Sequence, residues 1–147
     1  MLFAARIGEQ SVAPAHMGYA ADSPLVGVEA NSSALARVSS ASPLRLGPAA
    51  LADFQVWNLA PDTGGWALLG ESSTKWVGVS AARFTSVATT AAAAGEPGRL
   101  RATLRGVPGE RVTVLFAGPS HKDATEVVCT IPSTGTATAE VPAATCA

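Results

Sequence analysis

The feature that most constrains this chain is a repeated alternation of apolar and polar residues over short segments. In residues 99–105, the apolar side chains of Leu100, Ala102 and Leu104 alternate with arginine and threonine. Side chains of a β-strand alternate between two faces, so this pattern predicts a strand with one buried and one solvated face. Amphipathic helical periodicity over about 11 residues or more is hard to find. The chain is therefore predicted to be all-β.

Similar short segments recur along the chain and are separated by residues that favour turns. Turn-rich sequences at residues 61–65 and 70–74 divide the tryptophan-containing middle of the chain, which predicts an antiparallel meander over residues 54–87. The predicted strands are 2–7, 25–29, 35–39, 54–59, 66–69, 75–79, 83–87, 99–105, 111–116, 125–131 and 136–141.

A boundary or a long connection is expected within residues 89–98, where small residues end in a Pro-Gly pair. The alternative for this segment is one exposed helical turn across the alanine run. This divides the chain into a β-rich region with the tryptophan meander, residues 1–90, and terminal sandwich strands, residues 91–147. Four terminal strands cannot close a sandwich alone, so a facing sheet must come from the first region or from a neighbouring domain. We expect an antiparallel β-sandwich, immunoglobulin-like or jelly-roll-like, in which both regions share one core.

Length and charge narrow the classes of protein to consider. The chain has 147 residues, enough for one domain or two small units. Its 10 basic and 11 acidic residues give a net charge of -1, without the basic surface that nucleic-acid binding requires. With 48% hydrophobic and 14% charged residues, the chain does not have the composition of a disordered protein. No run approaches about 18 apolar residues, so no membrane-spanning helix is expected.

The two cysteines, Cys129 and Cys146, allow two interpretations. If they pair, the disulfide joins the terminal strand to its neighbour, contributes about 3 kcal/mol and implies an oxidising compartment. The alternative is two independent buried thiols. No CxxC spacing is present, and two cysteines with two histidines do not make a zinc signature, so no metal site is expected.

Evidence for export is mixed. Asn31-Ser32-Ser33 fits the N-glycosylation acceptor pattern, although an ordinary polar loop explains it equally well. The first residues have neither a basic region nor a sufficiently long apolar region, so no secretion signal is visible. Either the protein is cytosolic with free thiols, or the chain is a processed or truncated part of a longer extracellular polypeptide, which is the interpretation we prefer.

Residues that could carry catalysis are sparse. His16 and His121 lie in no nucleophile-elbow pattern, and both are expected in loops. Asp53, Asp62 and Glu71 lie near the tryptophan meander and could supply a glycosidase carboxylate pair, but acidic residues at turns are usually solvated. No phosphate-binding loop or dinucleotide fingerprint occurs, so no cofactor is expected.

Trp57, Trp66 and Trp76 lie on three successive predicted strands. Exposed on a sheet, their rings could stack on the apolar faces of sugars while the indole N–H donates a hydrogen bond. As alternatives, they fill the core, because each tryptophan removes about 150–250 Å² from water, or they line an interface with a partner. The three tryptophans are the only sugar-contact candidates that the sequence offers.

Arg99, Arg101 and Arg105 form a basic stripe along one predicted strand. The stripe could meet an acidic glycan or a partner surface. The simpler interpretation is a solvated face that also protects a strand edge.

The tryptophan-containing runs Phe54-Gln55-Val56-Trp57-Asn58-Leu59-Ala60-Pro61, Gly65-Trp66-Ala67-Leu68-Leu69-Gly70-Glu71 and Lys75-Trp76-Val77-Gly78-Val79-Ser80 precede the Thr/Val-rich strands that continue to Val141. Together, over residues 50–142, they resemble the non-catalytic β-sandwich that follows the barrel in many secreted glycoside hydrolases. The resemblance implies a domain that packs against a catalytic module, stabilises it and can extend its sugar contacts. The catalytic residues of that family lie in the barrel, so none is carried over to this chain.

Three functions follow as hypotheses. The first is a non-catalytic extracellular accessory module of a carbohydrate-active protein, with a carbohydrate or a catalytic module as its partner. The second is a structural protein that assembles into a homo-oligomer or shell, since low charge reduces repulsion between copies. The third is a small glycoside hydrolase that uses a pair of the carboxylates named above.

Overall fold

The computed structural model describes residues 2–4, 8–48, 54–72, 78–90, 98–119 and 122–147, and these residues form an all-β protein. Within them the chain makes thirteen strands and one 3-10 turn, Pro14–Met17. Every strand pairing is antiparallel, which confirms the predicted fold class. The chain divides into two compact units, Met1–Asp62 and Thr63–Ala147.

The first unit contains two small sheets. Its strands are β1 (Leu2–Ala4), β2 (Gln10–Val12), β3 (Leu25–Glu29), β4 (Leu35–Val38), β5 (Leu44–Leu46) and β6 (Gln55–Pro61). A four-stranded sheet has the order β1-β6-β3-β4, and β2 pairs with β5. The buried core of this unit contains Leu25, Val38, Leu44, Leu46 and Trp57.

The central strand β3 shows why this sheet can accommodate a tryptophan. Gly27 of β3 pairs with Leu59 of β6, and its missing side chain leaves room for the neighbouring Trp57 ring. A Cβ at position 27 would lie 3.1 Å from Trp57 Cε3 and 3.2 Å from Leu59 Cδ2. The glycine therefore lets an indole lie flat across the strand.

The second unit is a sandwich of two sheets. Its strands are β7 (Ala67–Glu71), β8 (Phe84–Thr90), β9 (Arg99–Arg105), β10 (Arg111–Ala117), β11 (Thr125–Thr130), β12 (Thr136–Val141) and β13 (Thr145–Cys146). One sheet has the order β11-β10-β7 and the other the order β13-β12-β9-β8.

One buried cluster fills the space between these two sheets. The apolar positions of β9 face inward and pair with those of β12, so that Leu104 lies opposite Ala137 and Ala102 opposite Ala139. The facing sheet contributes Phe116 and the other buried side chains of β10 and β11. Burial along β9 alternates as predicted, because each inward residue is followed by one that points to solvent.

Several predicted strands exist, but their pairing differs from the prediction. Among the described strands, the pairing differs from the predicted meander over residues 54–87, since β6 pairs with β1 and β3, β7 pairs with β10, and β8 pairs with β9. Apolar alternation specifies which face of a strand is buried but not which strand lies beside it. The predicted strand 75–79 lies mostly outside the described residues, and β2, β5 and β13 were not predicted.

The division between the units lies at residues 62 and 63 and not near residue 90. The physical reason is pairing across long sequence separations. Strands β7 and β8 precede the predicted boundary, yet both complete sheets whose other strands follow it.

Candidate functional site

Two of the three tryptophans lie inside the cores of their units. Trp57 has 8% of its surface exposed and packs in the first unit, while Trp66 has 3% exposed and packs in the second. Neither ring face is therefore available to stack on a sugar in this structure. Trp76 lies outside the described residues.

The disulfide between Cys129 and Cys146 is formed, with the two Cα atoms 5.3 Å apart. Cys129 lies on β11 and Cys146 on β13, which are edge strands of opposite sheets. The bond therefore joins the two layers of the sandwich, whereas the sequence had suggested a link between neighbouring strands. The sulfur of Cys129 is buried in the core cluster, and Cys146 packs against the same cluster.

The buried carboxylate of Glu71, a candidate for catalysis, is held in an ionic cluster with two partly buried side chains. Arg83, which immediately precedes β8, lies between Glu71 at the end of β7 and Glu110 before β10. Its Nε contacts Glu71 Oε1, and its Nη1 and Nη2 donate to Glu110 Oε2 at 3.0 Å and Oε1 at 2.5 Å. We call these three residues the Arg83 cluster.

The Arg83 cluster also ties down the turn between β9 and β10. Arg83 Nη1 donates to the carbonyl of Arg105 at 2.6 Å, and Glu110 Oε2 accepts from the backbone N–H of Val107 at 3.0 Å. Gly106 lies so close to this cluster that a Cβ there would overlap the Glu110 carboxylate and would lie 2.7 Å from Arg83 Nη1. The cluster thus fastens one end of the sandwich.

Electrostatics reinforce this structural role. The hydrogen bonds to Glu110 raise the pKa of the Arg83 guanidinium, burial opposes that rise, and the nearby charges of Glu71 and Glu110 add to it. The bidentate pairing with Glu110 fixes the orientation of the Arg83 guanidinium. The arrangement is suited to stabilising the fold.

The sequence did not identify Arg83 and Glu110 as partners of Glu71. The three residues are separated along the chain by strands and turns, and only the pairing of β7 with β10 and β8 with β9 brings them together. No local spacing could have indicated the cluster.

Asp62, the second carboxylate candidate, is also paired. Its Oδ2 accepts a hydrogen bond from Arg37 Nη1 at 2.9 Å within the first unit. Asp53 lies outside the described residues.

Another buried carboxylate, that of Glu29, organises the turn that contains the glycosylation motif. Its Oε2 accepts from the backbone N–H groups of Asn31 at 3.0 Å and Ser32 at 2.6 Å, and its Oε1 accepts from Val56 at 3.4 Å. Asn31 is exposed in this turn, and its Nδ2 donates to the carbonyl of Phe54 at 3.3 Å. Glycosylation of Asn31 stays a prediction.

Replacing Glu29 by glutamine is expected to lower the free energy of unfolding by about 1–2 kcal/mol at neutral pH, because charged hydrogen bonds are lost. Burial raises the pKa of Glu29, but the hydrogen bonds from Ser32, Val56 and Asn31 outweigh it, so the pKa lies below its usual value of 4.5. The charged form therefore stabilises the fold above the unfolded-state pKa, and this contribution is lost as pH falls through the folded-state pKa.

Urea unfolding at several pH values checks this prediction. The difference between wild type and Glu29→Gln should be largest at neutral pH and should shrink below about pH 4.5. Asp22→Asn, a change at an exposed turn residue, is the control and should leave the curve unchanged. A Glu29→Gln difference that is constant over this range would contradict the charged role.

The basic stripe on β9 is paired on the solvent face of its sheet. Arg101 Nε donates to Glu140 Oε2 on β12 at 2.6 Å, and Arg99 Nη1 lies 3.5 Å from Glu140 Oε1. Arg105 is exposed. The stripe therefore behaves as a partly neutralised solvated face.

The remaining candidates offer no reactive centre among the described residues. His16 Nδ1 accepts from the backbone N–H of Ala13 at 3.1 Å in the 3-10 turn, and His121 lies outside the described residues. Over the described ranges, no group of three or more histidine, cysteine or acidic side chains could hold a metal ion. In the same part of the chain, no helix has the length and apolar character needed to cross a membrane.

Comparison with known proteins gives no family assignment. No family model matches the chain, and neither a curated protein nor a solved structure is significantly similar to it.

Proposed function

We propose that this chain is a non-catalytic β-sandwich accessory module of an extracellular carbohydrate-active protein, with a mainly stabilising role. The observation that carries the proposal is that carboxylates at its strand ends and turns bind other groups of the protein itself. Glu71 and Glu110 bind Arg83, and Glu29 binds the backbone of a turn. These carboxylates therefore hold strands and turns together.

The disulfide supports the extracellular part of the proposal. A bond between opposite sheets, formed by Cys129 and Cys146, persists in oxidising compartments and is rare in the cytosol. It also joins the terminal strand to the opposite sheet. Such a cross-link stabilises the folded state, which suits a module that functions outside the cell.

Because Trp57 and Trp66 are buried, Trp76 is the remaining tryptophan candidate for a sugar contact. In a Trp76→Phe variant, the remaining two indoles should emit at short wavelength and be quenched poorly by iodide. Oligosaccharides should leave this emission unchanged.

The measurement is fluorescence quenching of the Trp76→Phe variant, with the same variant unfolded in urea as the control. Quenching of the folded variant at the level of the unfolded one would show that the tryptophans are accessible. A sugar-dependent change in that variant would show that a buried indole takes part in binding.

The proposed function is tested by incubating the chain with a broad panel of oligosaccharides and aryl glycosides. We expect no turnover above that of buffer. Turnover that is lost in Asp53→Asn or Glu71→Gln, with the fold retained by circular dichroism, would overturn the non-catalytic assignment and favour the hydrolase hypothesis.

A further inference from the structure

Strand β8 presents an unpaired edge to solvent. Phe84–Thr90 pairs with β9 on one side, and no other strand among the described residues pairs with its second side. All residues from position 85 to position 90 are exposed. Such an edge offers alternating N–H and C=O groups that can continue the sheet with another strand.

The other edges of the same unit are protected. Strand β13 has only two residues. At the end of β7, the Glu71 N–H already donates to the carbonyl of Gly78 at 3.0 Å, and Gly70, with φ of 107°, lies against the same carbonyl. Strand β11 carries the exposed charge of Glu126 along its edge.

Strand β8 lacks these protections. Its sequence from Phe84 to Thr90 contains no charged residue, proline or glycine. Its one irregularity lies between Phe84 and Ser86, so the register is regular from Ser86 to Thr90. An uncharged, regular edge of this length is one that proteins normally protect unless it is used.

The core-facing side of β8 is also uncovered. Val87 pairs with Ala102, and residues directly opposite each other in antiparallel strands project to the same face of the sheet. Ala102 is buried in the core, yet Val87 remains 51% exposed. The described part of the facing sheet therefore does not extend over β8.

We propose that the β8 edge pairs antiparallel with β8 of a second copy of this chain. A second β8 fits this edge because neither strand carries a charge, so antiparallel pairing places no like charges opposite each other, and its Thr, Val and Phe residues favour strands. A two-fold axis across the edge would join the two four-stranded sheets and place Val87 near its counterpart. This self-association goes beyond the accessory function and does not depend on sugar binding.

The contact should be reversible. One strand pair covers a small surface, whereas a stable specific interface buries about 1,200–2,000 Å² in total. The dimer is therefore expected to form with increasing concentration and to dissociate on dilution.

The test is sedimentation equilibrium of the oxidised chain from micromolar to millimolar concentration. Wild type should show a reversible monomer–dimer equilibrium. Val87→Lys should weaken it by about tenfold or more, because two lysines would then face each other near the axis. The matched control is Val128→Lys, since Val128 is a 44% exposed valine on edge strand β11 and lies outside the proposed contact.

Each outcome decides the proposal. If wild type stays monomeric over the whole concentration range, the proposed self-pairing is wrong. A strand of another protein would then be the partner to test for the β8 edge. Equal dimerisation of Val87→Lys and wild type, or equal loss in Val128→Lys, would also overturn it. Urea unfolding of both variants verifies folding, and Thr89→Lys replaces Val87→Lys if the latter does not fold.

Discussion

Replacing Arg83 by methionine is expected to lower the free energy of unfolding of the second unit by about 3–5 kcal/mol. The change removes the contact of Arg83 with the buried carboxylate of Glu71 and both hydrogen bonds to Glu110. It also removes the hydrogen bond from Arg83 Nη1 to the Arg105 carbonyl. The turn between β9 and β10 is therefore held less firmly. Breaking a buried ion pair costs far more than the pair contributes, because one charge is left uncompensated.

Urea unfolding of Arg83→Met measures this loss, with Arg111→Met, a change at an exposed arginine, as the control. The double variant Arg83→Met with Glu71→Leu should recover part of the stability, since it also removes the buried charge that Arg83 contacts. A loss below about 1 kcal/mol for Arg83→Met would mean that the cluster behaves as an exposed ion pair.

Removing the disulfide is expected to lower the free energy of unfolding of the second unit by about 3 kcal/mol. The bond spans a sequence separation of 17 residues, and closing a loop of that size restricts the unfolded chain by about this amount. For a unit of this size the melting temperature should fall by roughly 12–24 °C. The double variant Cys129→Ala with Cys146→Ala tests this by calorimetry.

Reduction of the wild type provides an independent check of the same bond. Dithiothreitol should lower the melting temperature of wild type toward that of the double alanine variant and should leave the variant itself unchanged. Equal melting temperatures for oxidised wild type and the variant would show that the cross-link contributes nothing to the sandwich.

Local patterns predicted the strands well because strand formation and burial are local properties. Leu100, Ala102 and Leu104 face the core as their alternation indicates, and β3 was predicted with its observed bounds, Leu25–Glu29. The pairing of strands was not predictable in this way. Strand β7 pairs with β10, although β8 and β9 lie between them in the sequence. No residue pattern within β7 indicates that β10 is its neighbour.

The candidate site shows the same limit. The sequence placed Trp57 and Trp66 on strands in which neighbouring residues are both apolar, so no alternation indicated which face is covered, and the structure buries both tryptophans. Glu71 was predicted as a possible catalytic carboxylate because it lies near the tryptophan meander in the sequence. Its partner Arg83 becomes visible only when the two sheets of the sandwich are assembled.

We propose that this chain is an extracellular module, and the disulfide between Cys129 and Cys146 joins the two sheets of its sandwich. Mass spectrometry of protein isolated from the cells that make it, alkylated before any reduction, tests both points. We expect the protein to lie outside the cytoplasm and to yield a peptide pair joined through Cys129 and Cys146. Cytoplasmic protein in which both thiols are alkylated would contradict it.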